Sequence, residues 1–250
     1  MNNFNGNGYE YNNGSTGSYT VPYSGEGLAA FSRRVYTWMA SGLAVTFLIG
    51  FGIMQYLTYS FNESRALLID QYMMVYLVVA LVEVLLVFVL GFAVYKLPPA
   101  VSAVLFYAYS VCNGITIAPA LFVYELDSVF YVFAATAVFF AAISVYGFMT
   151  KKNLARLGPV LIIGLIILLI YSVVAMLFRI PLSDLTIGIF GIILFVGFTA
   201  FDTQKIKKGY EYFGNDPELQ RRASINIALQ LYLDFINLFL YILRLFGNRK

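Results

Sequence analysis

Two aspartates lie inside the last two strongly apolar stretches of the 250-residue chain, Asp202 in FVGFTAFDTQKIKK and Asp234 in ALQLYLDFINLFLYILRLFG. A carboxylate at the centre of a bilayer costs about 2.5 kcal/mol or more, so it faces a partner or a water-filled cavity rather than lipid. The pair is therefore the first candidate for function. What the two groups do depends on the elements that hold them.

The last segment reads as a helix with one polar arc. At 100° per residue, Asn226, Gln230, Asp234, Asn237, Tyr241 and Arg244 fall within roughly 80°, and the rest is mainly Leu, Ile and Phe. Such a stripe cannot face lipid, where its polar groups would be unsatisfied. It is either a polar packing seam or the lining of a polar cavity or ion path, and a full-charge Asp and Arg favour the second. In the sixth segment Gly188, Gly191, Thr199 and Asp202 also share roughly 80° of arc, and the glycines permit close approach. At 1.5 Å per residue Asp202 is expected roughly 6 Å and Asp234 roughly 15 Å from the same membrane surface. One more turn on the sixth helix would largely remove that mismatch and allow contact.

Glu83 is a third acid, near the centre of the second span. It reads either as a protonated or hydrogen-bonded packing residue or as a further polar-cavity group. Lys96 lies about 220° away on that helix and cannot pair with it on one face. In the third span, NGITIAP places Asn113, Gly114 and Pro119 where they weaken a regular helix, a common feature of membrane helices.

Composition sets the setting for these groups. The chain is 60% hydrophobic and 12% charged, which points to a polytopic membrane protein in contact with the lipid bilayer. A net charge of +3 gives no support to a nucleic-acid partner. Histidine is absent, which removes the usual physiological-pH switch and the commonest metal ligand. Cys112 is the single cysteine, so it reads as a packing residue and not as part of a disulfide or thiolate metal site. No resident cofactor is expected.

Residues 1–32 are rich in Gly, Asn, Ser and Tyr and are expected to be disordered, with no core to bury. They lack the apolar centre of a cleavable signal, so the first span is expected to direct its own insertion. Residues 33–250 form one membrane domain. Seven spans are expected, at Tyr36–Leu57, Tyr72–Tyr95, Pro99–Val123, Ser128–Phe148, Pro159–Phe178, Ser183–Ile206 and Ser224–Phe246, each near the roughly 20 residues that cross the hydrocarbon. Arg33, Arg34, Lys96, Lys151, Lys152, Arg156, Lys205, Lys207 and Lys208 mark one side as cytoplasmic, with the N-terminus. Glu63, Asp70, Glu125, Asp127 and Asp184 fall mostly on the other, beside Arg65 and Arg179. Seven crossings then place Arg249 and Lys250 outside, against the rule.

The pattern GFTAFDTQKIK followed by LYLDFINLFLYILRLFG resembles the C-terminal signature of the Bax inhibitor-1 family, bacterial type. NGITIAPALFVY and the Glu83-containing span resemble it too, so the likeness covers the membrane region and not the tail. The resemblance implies an all-α fold of seven transmembrane helices with a central, polar C-terminal helix. It also implies a calcium-permeable leak sensed by two aspartates, at Asp202 and Asp234. A basic residue near the end of the second span is expected to hold the closed state, and here only Lys96 is available for it. In a bacterium the implied location is the plasma (inner) membrane.

On this reading the two carboxyls share a proton when closed, because adjacent like charges disfavour double ionisation and titrate as a pair. Losing it would separate the helices and expose oxygens of the kind calcium prefers, too few for a tight site but suited to transit. Glu83, Asn226, Gln230, Asn237 and Arg244 would line the path. The rival is a non-transporting regulator that binds a membrane protease or stress and cell-death machinery, a role the resemblance also includes. An enzyme is not expected: intramembrane aspartyl proteases carry Gly-x-Gly-Asp, whereas Leu231, Tyr232 and Leu233 precede Asp234. The last helix also lacks the central lysine of a retinal protein.

Overall fold

A chain in hydrocarbon must satisfy its own backbone groups, and a helix does so segment by segment. The computed structural model describes residues 8–11, 19–22, 25–60, 65–93, 96–178, 184–213 and 216–250. Helices α1 (Gly25–Ser60), α2 (Arg65–Ala93), α3 (Pro99–Val123), α4 (Leu126–Met149), α5 (Gly158–Phe178), α6 (Asp184–Phe213) and α7 (Pro217–Phe246) are each long and apolar enough to cross a membrane. In the N-terminal segment Gly8–Tyr11 (β1) and Tyr19–Pro22 (β2) pair antiparallel. Tyr, Thr and Val suit such pairing, although a lone two-stranded ribbon is marginal in water. The rest of residues 1–24 lies outside the described residues.

The third helix has its expected bounds, but four others are longer by a turn or more at one end. α1 starts at Gly25 instead of Tyr36, α2 starts at Arg65 instead of Tyr72, α6 runs to Phe213 instead of Ile206, and α7 starts at Pro217 instead of Ser224. The added turns carry Arg33, Arg34, Lys207, Lys208, Glu211, Arg221 and Arg222, so hydropathy cuts them off while the helix continues. α7 begins where Asp216 caps it, accepting hydrogen bonds from the backbone N–H of Glu218 at 2.9 Å and of Leu219 at 3.0 Å. Pro217 stands in the first turn, where its missing N–H costs nothing.

Helix α7 lies in the middle of the bundle, against α1, α3, α4 and α6. Of its most apolar window 67% is buried, against 6% for α2 and 17% for α5. α2 lies mainly on α3 and α5 on α6, and Leu81, Leu85, Ile166 and Ile170 are left exposed as a lipid-facing surface. Phe235 and Phe239 of α7 meet Phe133 and Phe140 of α4 and Phe47 of α1 edge to face, with ring centroids 5.3–5.9 Å apart. The glycines of α6 do what the sequence suggests. A Cβ on Gly191 would stand 2.5 Å from the Tyr241 ring, and one on Gly188 would overlap Leu245, so both let α6 close on α7.

Lys208 donates to Asn153 Oδ1 at 3.0 Å, which puts the end of α6 and the α4–α5 connection at one lysine-rich end of the bundle. At the opposite end Asp184 holds Arg244 at 2.6 Å and Arg249 at 2.8 Å. The basic residues that seemed to violate the charge rule are thus partly offset by an acid. Glu63 and Arg179 lie outside the described residues, as do the side chains of Arg65 and Asp70.

Candidate functional site

The two aspartates meet. Asp202 and Asp234 are each 4% exposed, and their carboxyl groups are within hydrogen-bonding reach of one another. The added turns do not account for this. Helices α6 and α7 are both lengthened at that end, to Phe213 and from Pro217, so an offset of about 9 Å at 1.5 Å per residue persists. The contact requires the two helix ends to stand at different levels. Oδ1 of Asp202 and Oδ2 of Asp234 are buried and accept no well-angled hydrogen bond from a described donor. Ionised carboxylate oxygens only accept, so a proton on one of them is what can join the two.

A cation stands beside the pair. Lys205 Nζ is 2.6 Å from Asp202 Oδ1, an ion-pair contact outside hydrogen-bonding angles. It donates to Gln230 Oε1 at 2.5 Å and lies 4.3 Å from the centre of the Phe201 ring. Gln230 Nε2 donates to Asn226 Oδ1 at 2.6 Å, and Asn226 Nδ2 donates to the Leu90 carbonyl at 3.3 Å. That carbonyl is among the last four of α2, which have no partner inside their own helix. The lysine-rich half of the α7 arc is therefore one connected polar chain from the acid pair to α2.

Gln204 serves the scaffold. Its Nε2 donates to the Lys152 carbonyl at 2.7 Å and its Oε1 accepts from the Leu154 N–H at 2.9 Å, so it clamps the α4–α5 connection to α6. Thr199 donates to the Phe195 carbonyl of its own helix at 2.7 Å.

Glu83 occupies a separate network. Asn113 Nδ2 donates to its Oε1 at 2.5 Å and Thr116 Oγ1 to its Oε2 at 2.8 Å. Tyr232 of α7 donates to Asn113 Oδ1 at 2.9 Å, and its hydroxyl oxygen stands 2.5 Å from that of Thr46 of α1. Thr46 in turn donates to the Ser110 carbonyl at 2.8 Å. This ties α1, α2, α3 and α7 together through a satisfied acid.

The rest of the predicted arc faces the other end. Asn237 donates to the Leu233 carbonyl at 2.7 Å. With Tyr241, Arg244, Asp184, Tyr124 and Arg249 it lines a cavity of about 400 Å³. The arc is thus split: Asn226, Gln230 and Asp234 join Asp202, whereas Asn237 and Arg244 do not. Lys96 is not brought to the acids. It is exposed in the α2–α3 turn, and the described ion pairs involve Lys205, Arg222, Arg244 and Arg249. Sequence reasoning missed Lys205, although its i+3 spacing from Asp202 puts the two on one helix face. It also passed over Tyr232, whose neighbours Leu231 and Leu233 make it look like plain core.

Fold and site together define a polytopic seven-helix membrane protein with a buried acid pair. Residues 28–250 match the family model described as Inhibitor of apoptosis-promoting Bax1. The chain is similar to Inner membrane protein YbhL of Escherichia coli, 36% identical over 225 residues covering 90% of this chain and 94% of that protein. It is similar also to an uncharacterized protein of Deinococcus radiodurans, 37% identical over 220 residues, 88% of this chain and 90% of that one. An uncharacterized protein of Borreliella burgdorferi is 34% identical over 220 residues, 88% and 92% of the two chains. The chain belongs to the Bax inhibitor-1 family.

Proposed function

We propose that this protein is a pH-sensitive calcium leak whose gate is the proton shared by Asp202 and Asp234. The observation that carries the reading is the contact of two buried carboxyls, each with one oxygen that no well-angled donor reaches. With one proton the pair is joined and α6 stays on α7. As pH rises the proton leaves, two like charges face each other in a low-dielectric interior, and the helices part. The freed oxygens, with Gln230 and Asn226, attract a passing cation. Asn237 and Arg244 line the cavity at the far end of the same path, and Glu83 braces its wall. The lysine-rich end is cytoplasmic, as is the N-terminus, and the membrane is a bacterial inner membrane.

Calcium flux through the purified protein in empty liposomes tests this. Flux should rise with pH across the pair's titration, and Asp202→Asn and Asp234→Asn should flatten that rise. A protein that acts only by binding a membrane protease or stress component gives no flux at any pH. Unchanged flux and unchanged pH dependence in both variants would sink the diacid gate.

A further inference from the structure

We propose that the Lys205 ammonium is a tethered occupant of the cation position at the acid pair, and that calcium binds there by displacing it. Three observations converge on this position. Nζ sits 2.6 Å from Asp202 Oδ1 and 2.5 Å from Gln230 Oε1, so a carboxylate and an amide oxygen already hold a positive charge. Asp202 Oδ1 and Asp234 Oδ2, on residues only 4% exposed, lack well-angled donors. The lysine side chain is 35% exposed while the Asp202 side chain is 6% exposed, so the flexible stem reaches from solvent to the buried pair. A four-carbon stem lets its head withdraw toward water without moving the helix.

Charge balance gives the exchange its logic. Two carboxyls with one shared proton carry one negative charge, which Lys205 neutralises. Two ionised carboxylates with one calcium ion and the ammonium withdrawn are again neutral. A calcium ion beside both the proton and the ammonium would leave excess positive charge in a buried site, which is costly. Calcium entry therefore goes with retreat of Lys205, whose ammonium already occupies the place between Asp202 Oδ1 and Gln230 Oε1. Among the described residues, the charged groups acting on the pair are the two aspartates themselves and Lys205. Ser144 of α4, which accepts from Thr203 at 3.4 Å, and Thr46 of α1 are neutral, and Glu83 of α2 is held by Asn113 and Thr116.

The inference rests on the leak reading in taking calcium as the cation, but binding tests it apart from flux. Calcium titrated calorimetrically into the purified full chain at one fixed pH is the measurement. Lys205→Met should tighten binding by about tenfold, a modest share of unit-charge repulsion at this range. Lys205→Arg should stay near wild type, and adding Asp202→Asn to Lys205→Met should abolish the gain. If Lys205→Met misfolds, Lys205→Gln, which still donates a hydrogen bond, serves for the comparison. Binding no tighter in the neutral variant, or equally tightened by arginine, overturns the proposal. A gain in binding without wild-type flux would sink the leak and leave the tethered cation standing.

Discussion

The molecule buries acids in two ways, and the contrast separates a fully bonded brace from the pair proposed as a gate. Glu83 has both oxygens occupied by neutral donors, Asn113 and Thr116, which Tyr232 and Thr46 orient in turn. Asp202 and Asp234 face each other and retain oxygens without well-angled donors. A fully satisfied polar network rigidifies what it joins, whereas a partly satisfied one leaves buried polar atoms whose missing partners cost free energy. The Glu83 network spans four helices and holds them. The aspartate pair spans two, and on the proposed reading it is the contact that lets them part.

The comparison breaks most sharply if the two acids respond alike. Asp234→Asn should abolish the pH dependence of flux, at least a tenfold loss between the ends of the titration, while Glu83→Gln leaves the midpoint in place; calcium flux at stepped pH reads both. Glu83→Ala should instead destabilise the fold by about 1–3 kcal/mol, because Asn113 and Thr116 lose their acceptor, and thermal unfolding in detergent measures it. Gly191→Ala forces a methyl into the Tyr241 ring and should cost about 1–3 kcal/mol by overpacking, read in the same assay. Tyr232→Phe removes the link between Thr46 and Asn113 and should cost about 0.6 kcal/mol, the usual scale for a helix–helix hydrogen bond in a membrane. The smallest effect belongs to Arg249→Ala, which leaves Arg244 on Asp184 and should barely move the unfolding temperature.

Most of the fold was legible in the sequence because hydrocarbon leaves few choices. Seven apolar runs must be helices, and the polar stripe on α7 must turn inward. The ends of α1, α6 and α7 were less legible, since a helix that leaves the bilayer keeps its hydrogen bonds while its side chains turn polar. Only the cap at Asp216-Pro217 marks the start of α7 locally. The contact of Asp202 with Asp234 depends on how far the ends of α6 and α7 are staggered, which helix-face periodicity does not fix, so the sequence could allow the contact but not establish it. Lys96 is the base near the end of α2, which makes it the expected partner of the acids, but it is exposed in the α2–α3 turn. The base that reaches them is Lys205, one helical turn beyond Asp202. Helix-face spacing showed that the α7 stripe is continuous, but not that its two halves meet different neighbours.

The shared proton itself is the central claim, and infrared difference spectroscopy of the purified protein across a pH series observes it most directly. A protonated-carboxyl band should disappear as pH rises over the range in which flux rises, change with Asp202→Asn and with Asp234→Asn, and stay untouched by Glu83→Gln. A band that persists unchanged in both asparagine variants, or that vanishes with Glu83→Gln, would place the proton on the wrong acid and contradict that claim.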